Sequence, residues 1–209
     1  MQFESGQLFH IYNRGNNRQK IFLARENYIL FLQKVRVHVL PHADILAWCL
    51  MPNHFHLMVY VNQVEVALTP VATQSRARSE TISFNKSIGI MLATYSRAIN
   101  KQQNWTGSLF RSQTKAICLS ESPATKTDTR ISRYFIDNQN SAYPNVCFNY
   151  ILKNPDKGGL VNRAIDWEFS SFSDFIGTRD GILINRSRIE QFGLHFGYSR
   201  PDFETEPDL

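Results

Sequence analysis

The sequence predicts an α+β fold: a ferredoxin-like (RRM-like) antiparallel sheet with helices packed on one face, and a further helix added toward the C-terminus. Three observations carry this. Segments of period two and segments of helical period follow one another in the order β-α-β-β-α-β before further helices begin. The segment Ile45-Leu46-Ala47-Trp48-Cys49-Leu50 is apolar on both faces, as a central strand should be. A short turn then joins it to an alternating strand, so the two form a hairpin.

Taken in order, Leu8-Phe9-His10-Ile11-Tyr12-Asn13-Arg14 reads as the first strand, stopped by Gly15-Asn16-Asn17. The turn after it carries Arg14, Arg18 and Lys20, which suit either a solvated loop or a phosphate contact. Residues 24–40 read as a helix, because Tyr28, Phe31, Leu32, Val35 and Val39 fall on one stripe, and Pro41 ends it. His38 and His42, near that end, are expected to cap the helix or face solvent.

The next stretch is Met51-Pro52-Asn53-His54-Phe55-His56-Leu57-Met58-Val59-Tyr60. At a period of two, Phe55, Leu57, Val59 and Val61 form a core face, while His54, His56, Met58 and Tyr60 point away from it. Imidazoles at i and i+2 can both reach one divalent ion. They can equally be two polar residues on a solvated sheet face.

Residues 71–79 are polar and aperiodic, and read as a basic loop carrying Arg76 and Arg78. A helix over 81–101 follows, with Phe84, Ile88, Met91, Leu92, Tyr95 and Ile99 as its apolar stripe and Lys86 and Arg97 outside it. Trp105, Phe110, Arg111 and Lys115 interleave aromatic and basic character, which suits stacking on unpaired bases or plain packing of a turn. A strand over 114–119 and a helix over 127–140 come next. Pro144 opens a last helix, and Pro155 with Gly158-Gly159 is expected to close it. Cys147, Phe148, Ile151 and Leu152 make its buried side, and Tyr150 and Asn154 lie i and i+4 on one face. The acidic tail over 201–209 is expected to be disordered.

Composition narrows the function. The 209 residues carry a formal charge of +5, a balance compatible with mere solubility or with a nucleic-acid partner. Cys49, Cys118 and Cys147 are isolated in apolar runs and read as buried thiols. Met1-Gln2-Phe3-Glu4-Ser5 shows no basic-then-apolar leader, and no run approaches the ~18 apolar residues of a membrane span. The expectation is a cytoplasmic protein.

Three stretches together resemble the single-tyrosine HUH transposases, of the insertion-sequence and REP-associated kind. They are His10-Ile11-Tyr12-Asn13-Arg14-Gly15-Asn16, then Trp48-Cys49-Leu50-Met51-Pro52-Asn53-His54-Phe55-His56, then Tyr150-Ile151-Leu152-Lys153-Asn154-Pro155 with Asp166-Trp167-Glu168-Phe169-Ser170-Ser171. The resemblance covers about residues 6–176, taken as one transposase/nuclease domain (1–176) with a partly disordered extension (177–209). It implies that His54, His56 and Asn154 bind Mg²⁺ or Mn²⁺, although some members carry Gln at the third place. It implies that Tyr150, on an added catalytic helix, is the nucleophile. Tyr134 and Tyr143 are nearby alternatives that lack Asn or Gln four residues on.

The implied activity is a metal-dependent endonuclease and strand transferase on single-stranded DNA flanked by hairpins. Tyr150 would form a 5′-phosphotyrosine link and release a 3′-OH. Asn13, Arg14, Arg18, Arg76, Arg78, Lys86, Arg97, Arg111 and Lys115 are the candidate DNA contacts. A homodimer is possible, since insertion-sequence members commonly share active sites. A domesticated hairpin-binding protein without cleavage, and a replication initiator or relaxase of the wider HUH class, are the alternatives.

Overall fold

The computed structural model describes residues 1–67, 80–120 and 143–197. Its elements run β1 (Leu8–Arg14), α1 (Arg25–His38), β2 (Ala43–Met51), β3 (His54–Val61), β4 (Glu65–Ala67), β5 (Thr81–Ser83), α2 (Phe84–Gln103), β6 (Lys115–Cys118) and α3 (Tyr143–Lys157), then the short helices α4 (Phe172–Phe175) and α5 (Arg186–Gln191). Four strands form one sheet in the order β2-β3-β1-β6, with every neighbouring pair antiparallel. The fold is therefore mixed α+β. β4 and β5 pair separately as a small ribbon that the sequence pattern did not announce. Each is a three-residue strand, too short to display a period.

Helices α1 and α2 cover the Phe55 face of the sheet. The predicted stripes are the reason: Tyr28, Phe31 and Val35 of α1 are buried, as are Phe84, Ile88, Met91, Leu92, Tyr95 and Ile99 of α2. Phe31 touches Phe55 and Tyr95, each at a ring-centroid distance of 5.0 Å, and so joins both helices to β3. Ser83 caps the start of α2 by accepting from the Lys86 N–H, and Asn104 at φ 54° ends it. Phe110 belongs to this cluster and is buried, so it packs the turn and is not a surface for bases. His42 is also buried, stacked on Phe84 at 5.0 Å, where a ring that caps the helix or faces solvent is the expectation from sequence.

The opposite face is not solvated either. Helix α3 packs across β2 and β3 and buries Cys147, Phe148, Ile151 and Leu152 against them. As a result Met58 and His56, on the face opposite Phe55, are buried. Pro155 does not close α3, which continues to Lys157. Gly159, at φ 66°, does so, with Leu160 N–H donating to Pro155 O over 2.9 Å.

The outer edge of β2 is protected by later chain. Leu50 N–H donates to Phe169 O, Ser171 N–H to Trp48 O, and Asn185 N–H to Ile45 O. Ile184, Ile189 and Leu194, beyond residue 176, join the same core. The three cysteines are free and buried. Among the described residues no helix is long and apolar enough to cross a membrane.

Candidate active site

The turn before His54 is clamped by backbone. Ile21 and Phe22 N–H groups donate to Pro52 O, and Gly15 N–H donates to Asn53 O over 2.7 Å. A Cβ on Gly15 would lie 2.1 Å from Gln19 O, so the chain passes here only with glycine. β3 therefore starts at a fixed place. Its register with β1 sets Arg14 opposite His54, Tyr12 opposite His56 and His10 opposite Met58. Directly paired residues share a sheet face, so His10, Tyr12, His54 and His56 form one cluster.

Two of these rings make a close pair. His10 Nε2 lies 2.9 Å from His56 Nδ1, with the rings stacked at 5.1 Å. Burial lowers the His10 pKa to about 3. Burial first, then the neighbouring His54 and His10, holds His56 well below the usual histidine range. Both rings are neutral at pH 7. The remaining nitrogen, His56 Nε2, is buried with no hydrogen-bond partner. His54 presents Nδ1 to Asn53 Oδ1 at 2.6 Å and Nε2 to Asn154 Oδ1 at 3.3 Å. With Nδ1 donating, Nε2 is an acceptor facing another acceptor. A cation between them satisfies that pair, as does turning the Asn154 amide.

Helix α3 supplies the other half. Asn154 is buried, and the half-buried Tyr150 sets its ring edge-on to His56 at 5.4 Å and to His10 at 6.1 Å. Asn145 and Asn149, one turn apart on α3, hold the helix from behind. Asn149 Nδ2 donates to His195 O over 2.8 Å, Gly197 N–H donates to Asn149 Oδ1, and His195 N–H donates to Asn145 Oδ1. Sequence reasoning missed these amides. Their i, i+4 spacing on an otherwise apolar face was the available signal. It also missed His10, whose place depends on strand register.

The expected DNA contacts divide by position. Arg14, Arg18, Arg111 and Lys115 lie at or beside the sheet end that bears His54: Arg111 N–H donates to Arg14 O, and Lys115 pairs with Tyr12. Asn13 is buried and structural, donating to Arg111 O and Thr114 Oγ1 and accepting from Arg14 N–H. Lys86 and Arg97 are on α2, behind the sheet. Arg76, Arg78 and Tyr134 lie outside the described residues. Tyr143 begins α3, and burial chiefly, with Cys147, Cys118 and Tyr12 nearby, pushes its phenol pKa up, which weakens it as a nucleophile. Among the described residues no three His, Cys, Asp or Glu side chains group to hold a metal; the further polar group beside His54 is the Asn154 amide.

No family model matches the chain, and no curated protein does. Among solved structures, a REP-associated tyrosine transposase bound to a REP hairpin is similar, at 14% identity and a TM-score of 0.52 over 85% of this chain and 83% of that one. At that identity the likeness shows the fold.

Proposed function

We propose that the chain is a metal-dependent single-stranded DNA endonuclease and strand transferase acting at sites flanked by DNA hairpins. Tyr150 is the nucleophile, and His54, His56 and Asn154 would hold Mg²⁺ or Mn²⁺. One observation carries this: Tyr150 and Asn154, a hundred residues beyond the histidines in sequence, meet them at one place. The partnerless His56 Nε2 and the facing acceptors of His54 and Asn154 suit a cation. When bound, the ion would offset phosphate charge and help orient the scissile bond.

The chain's own part follows from its chemistry. A phenol, with an ordinary pKa near ~10, is a weak nucleophile at neutral pH, so it must be held in place. Helix α3 does this from a packed face. Attack forms the tyrosine oxygen–phosphorus bond and breaks the bond to the 3′ oxygen; the phenol loses a proton and the leaving oxygen gains one. The link retains the energy of the broken bond, and another 3′-OH can reverse it. All four side chains lie together on one chain, which supports a site formed in cis. In this reading the sheet is ferredoxin-like and α3 is the added catalytic helix. The strand order and the seat of α3 opposite α1 and α2 support both.

The test is a denaturing gel of labelled hairpin oligonucleotides incubated with protein and Mg²⁺ or Mn²⁺. A covalent adduct is expected, and it vanishes in Tyr150→Phe and His56→Ala. A hairpin gel shift with no adduct in the wild type would replace this reading with binding alone.

A further inference from the structure

His10 has no place in the proposed chemistry, yet it lies against it. Its ring is wedged between Tyr12, stacked at 4.9 Å, and His56, stacked at 5.1 Å, with Tyr150 edge-on. It is 7% exposed and His56 is 4% exposed. At 2.9 Å between nitrogens, one proton must lie between His10 Nε2 and His56 Nδ1. Two neutral rings can arrange this in two ways. If His10 donates, His56 Nε2 becomes a buried N–H with no acceptor, a rare and costly state. If His56 donates, its Nε2 carries a bare lone pair, the form that binds a metal.

We propose that His10 is a positioning residue: its Nε2 accepts the hydrogen bond from His56 Nδ1 and so fixes His56 in the tautomer and ring orientation that presents Nε2 to a divalent ion. This rests on the reading of His54 and His56 as metal ligands. Metal-bound imidazoles commonly donate their other N–H to a carboxylate or carbonyl. A neutral imidazole acceptor does the orienting without adding negative charge. His56 is then less basic than with a carboxylate behind it, which suits an exchangeable, hard-ion site beside a polyanionic substrate.

The experiment titrates full-length protein with Mn²⁺, following free Mn²⁺ by electron paramagnetic resonance, in wild type, His10→Phe, His10→Gln and His56→Ala. Long-range proton–nitrogen spectra of the metal-free proteins report the His56 tautomer. The wild type should show His56 protonated at Nδ1. In His10→Phe, which keeps ring volume but offers no acceptor, that signature should be lost and Mn²⁺ affinity should fall about 10- to 100-fold. His10→Gln, which restores an acceptor, should recover most of both. A wild-type His56 protonated at Nε2, or Mn²⁺ affinity unchanged in His10→Phe, overturns the inference and leaves the metal reading standing. A wild type that binds Mn²⁺ no better than His56→Ala overturns the metal reading and this inference with it.

Discussion

Tyr150 and Asn154 stand one helical turn apart, and that spacing brings both to the histidines. Asn154→Ala should slow adduct formation by at least about 10- to 100-fold, since removing a ligand costs no less than disturbing the groups that orient one. Asn154→Gln should recover part of the rate in the same gel assay. Histidines elsewhere set the acid limit. His42 has its pKa lowered by burial, against a smaller opposing effect of the Gln63 carbonyl. Its folded form prefers the neutral ring, while the unfolded chain takes up a proton near ~6.5. Above that pH the two states hold the same proton count. As pH falls below it the unfolded state binds more, and stability drops until the folded pKa is passed. Thermal midpoints at about pH 8 and about pH 5 should therefore differ, and His42→Phe should shrink the difference. It removes only part, because burial lowers His10, His38 and His56 as well. At this scale the pair His54 and His56 was legible, since alternation alone puts them on one face. The burial of His10 and His42 was not, since it is set by strands and helices distant in sequence.

At the scale of elements, the amphipathic stripes were readable because each is a local property of one helix. Phe31 shows how much rests on them: Phe31→Ala opens a cavity between α1, α2 and β3 and should cost about 3–5 kcal/mol in urea denaturation. Helix α3 was harder. Its apolar side was legible, and so was its stop at Gly158-Gly159; the part played by Pro155 was not. Pro155 would ordinarily close a helix; its missing N–H forfeits the bond to the Ile151 carbonyl, yet the chain stays helical to Lys157, with Gly158 N–H still donating to Asn154 O. The placement of α3 depends on Asn145 and Asn149, which tie it to residues 195–197. Asn149→Ala leaves the Gly197 N–H and His195 O without those partners and should cost about 1–3 kcal/mol. It should also slow adduct formation, because the helix it loosens carries Tyr150. The β4–β5 ribbon was invisible to pattern, since tertiary contact rather than alternation decides so short a pair.

Over the whole molecule, the sheet separates two populations of basic residues. Arg14, Arg18, Arg111 and Lys115 gather at the His54 end, while Lys86 and Arg97 project from α2 behind it. Net charge alone, +5, could not assign either group. Hairpin DNA binding should weaken with salt, and Arg111→Ala or Lys115→Ala should reduce the logarithmic slope by about 0.7–0.9 per lost phosphate contact. Lys86→Ala and Arg97→Ala should leave the slope unchanged, a comparison that fluorescence anisotropy across salt concentrations can make. The antiparallel α+β sheet was foreseeable from the alternation of elements; the covering of the histidine face by α3 and the chain after it was not, because no local pattern records which late segment returns to which face. The most direct measurement is mass spectrometry of the protein after reaction with hairpin DNA and Mn²⁺, followed by digestion and mapping of the modified peptide. A nucleotide linked through phosphate to Tyr150 is the expected result. Attachment at Tyr143 or Tyr134, or no attachment on DNA that the protein binds, would contradict it.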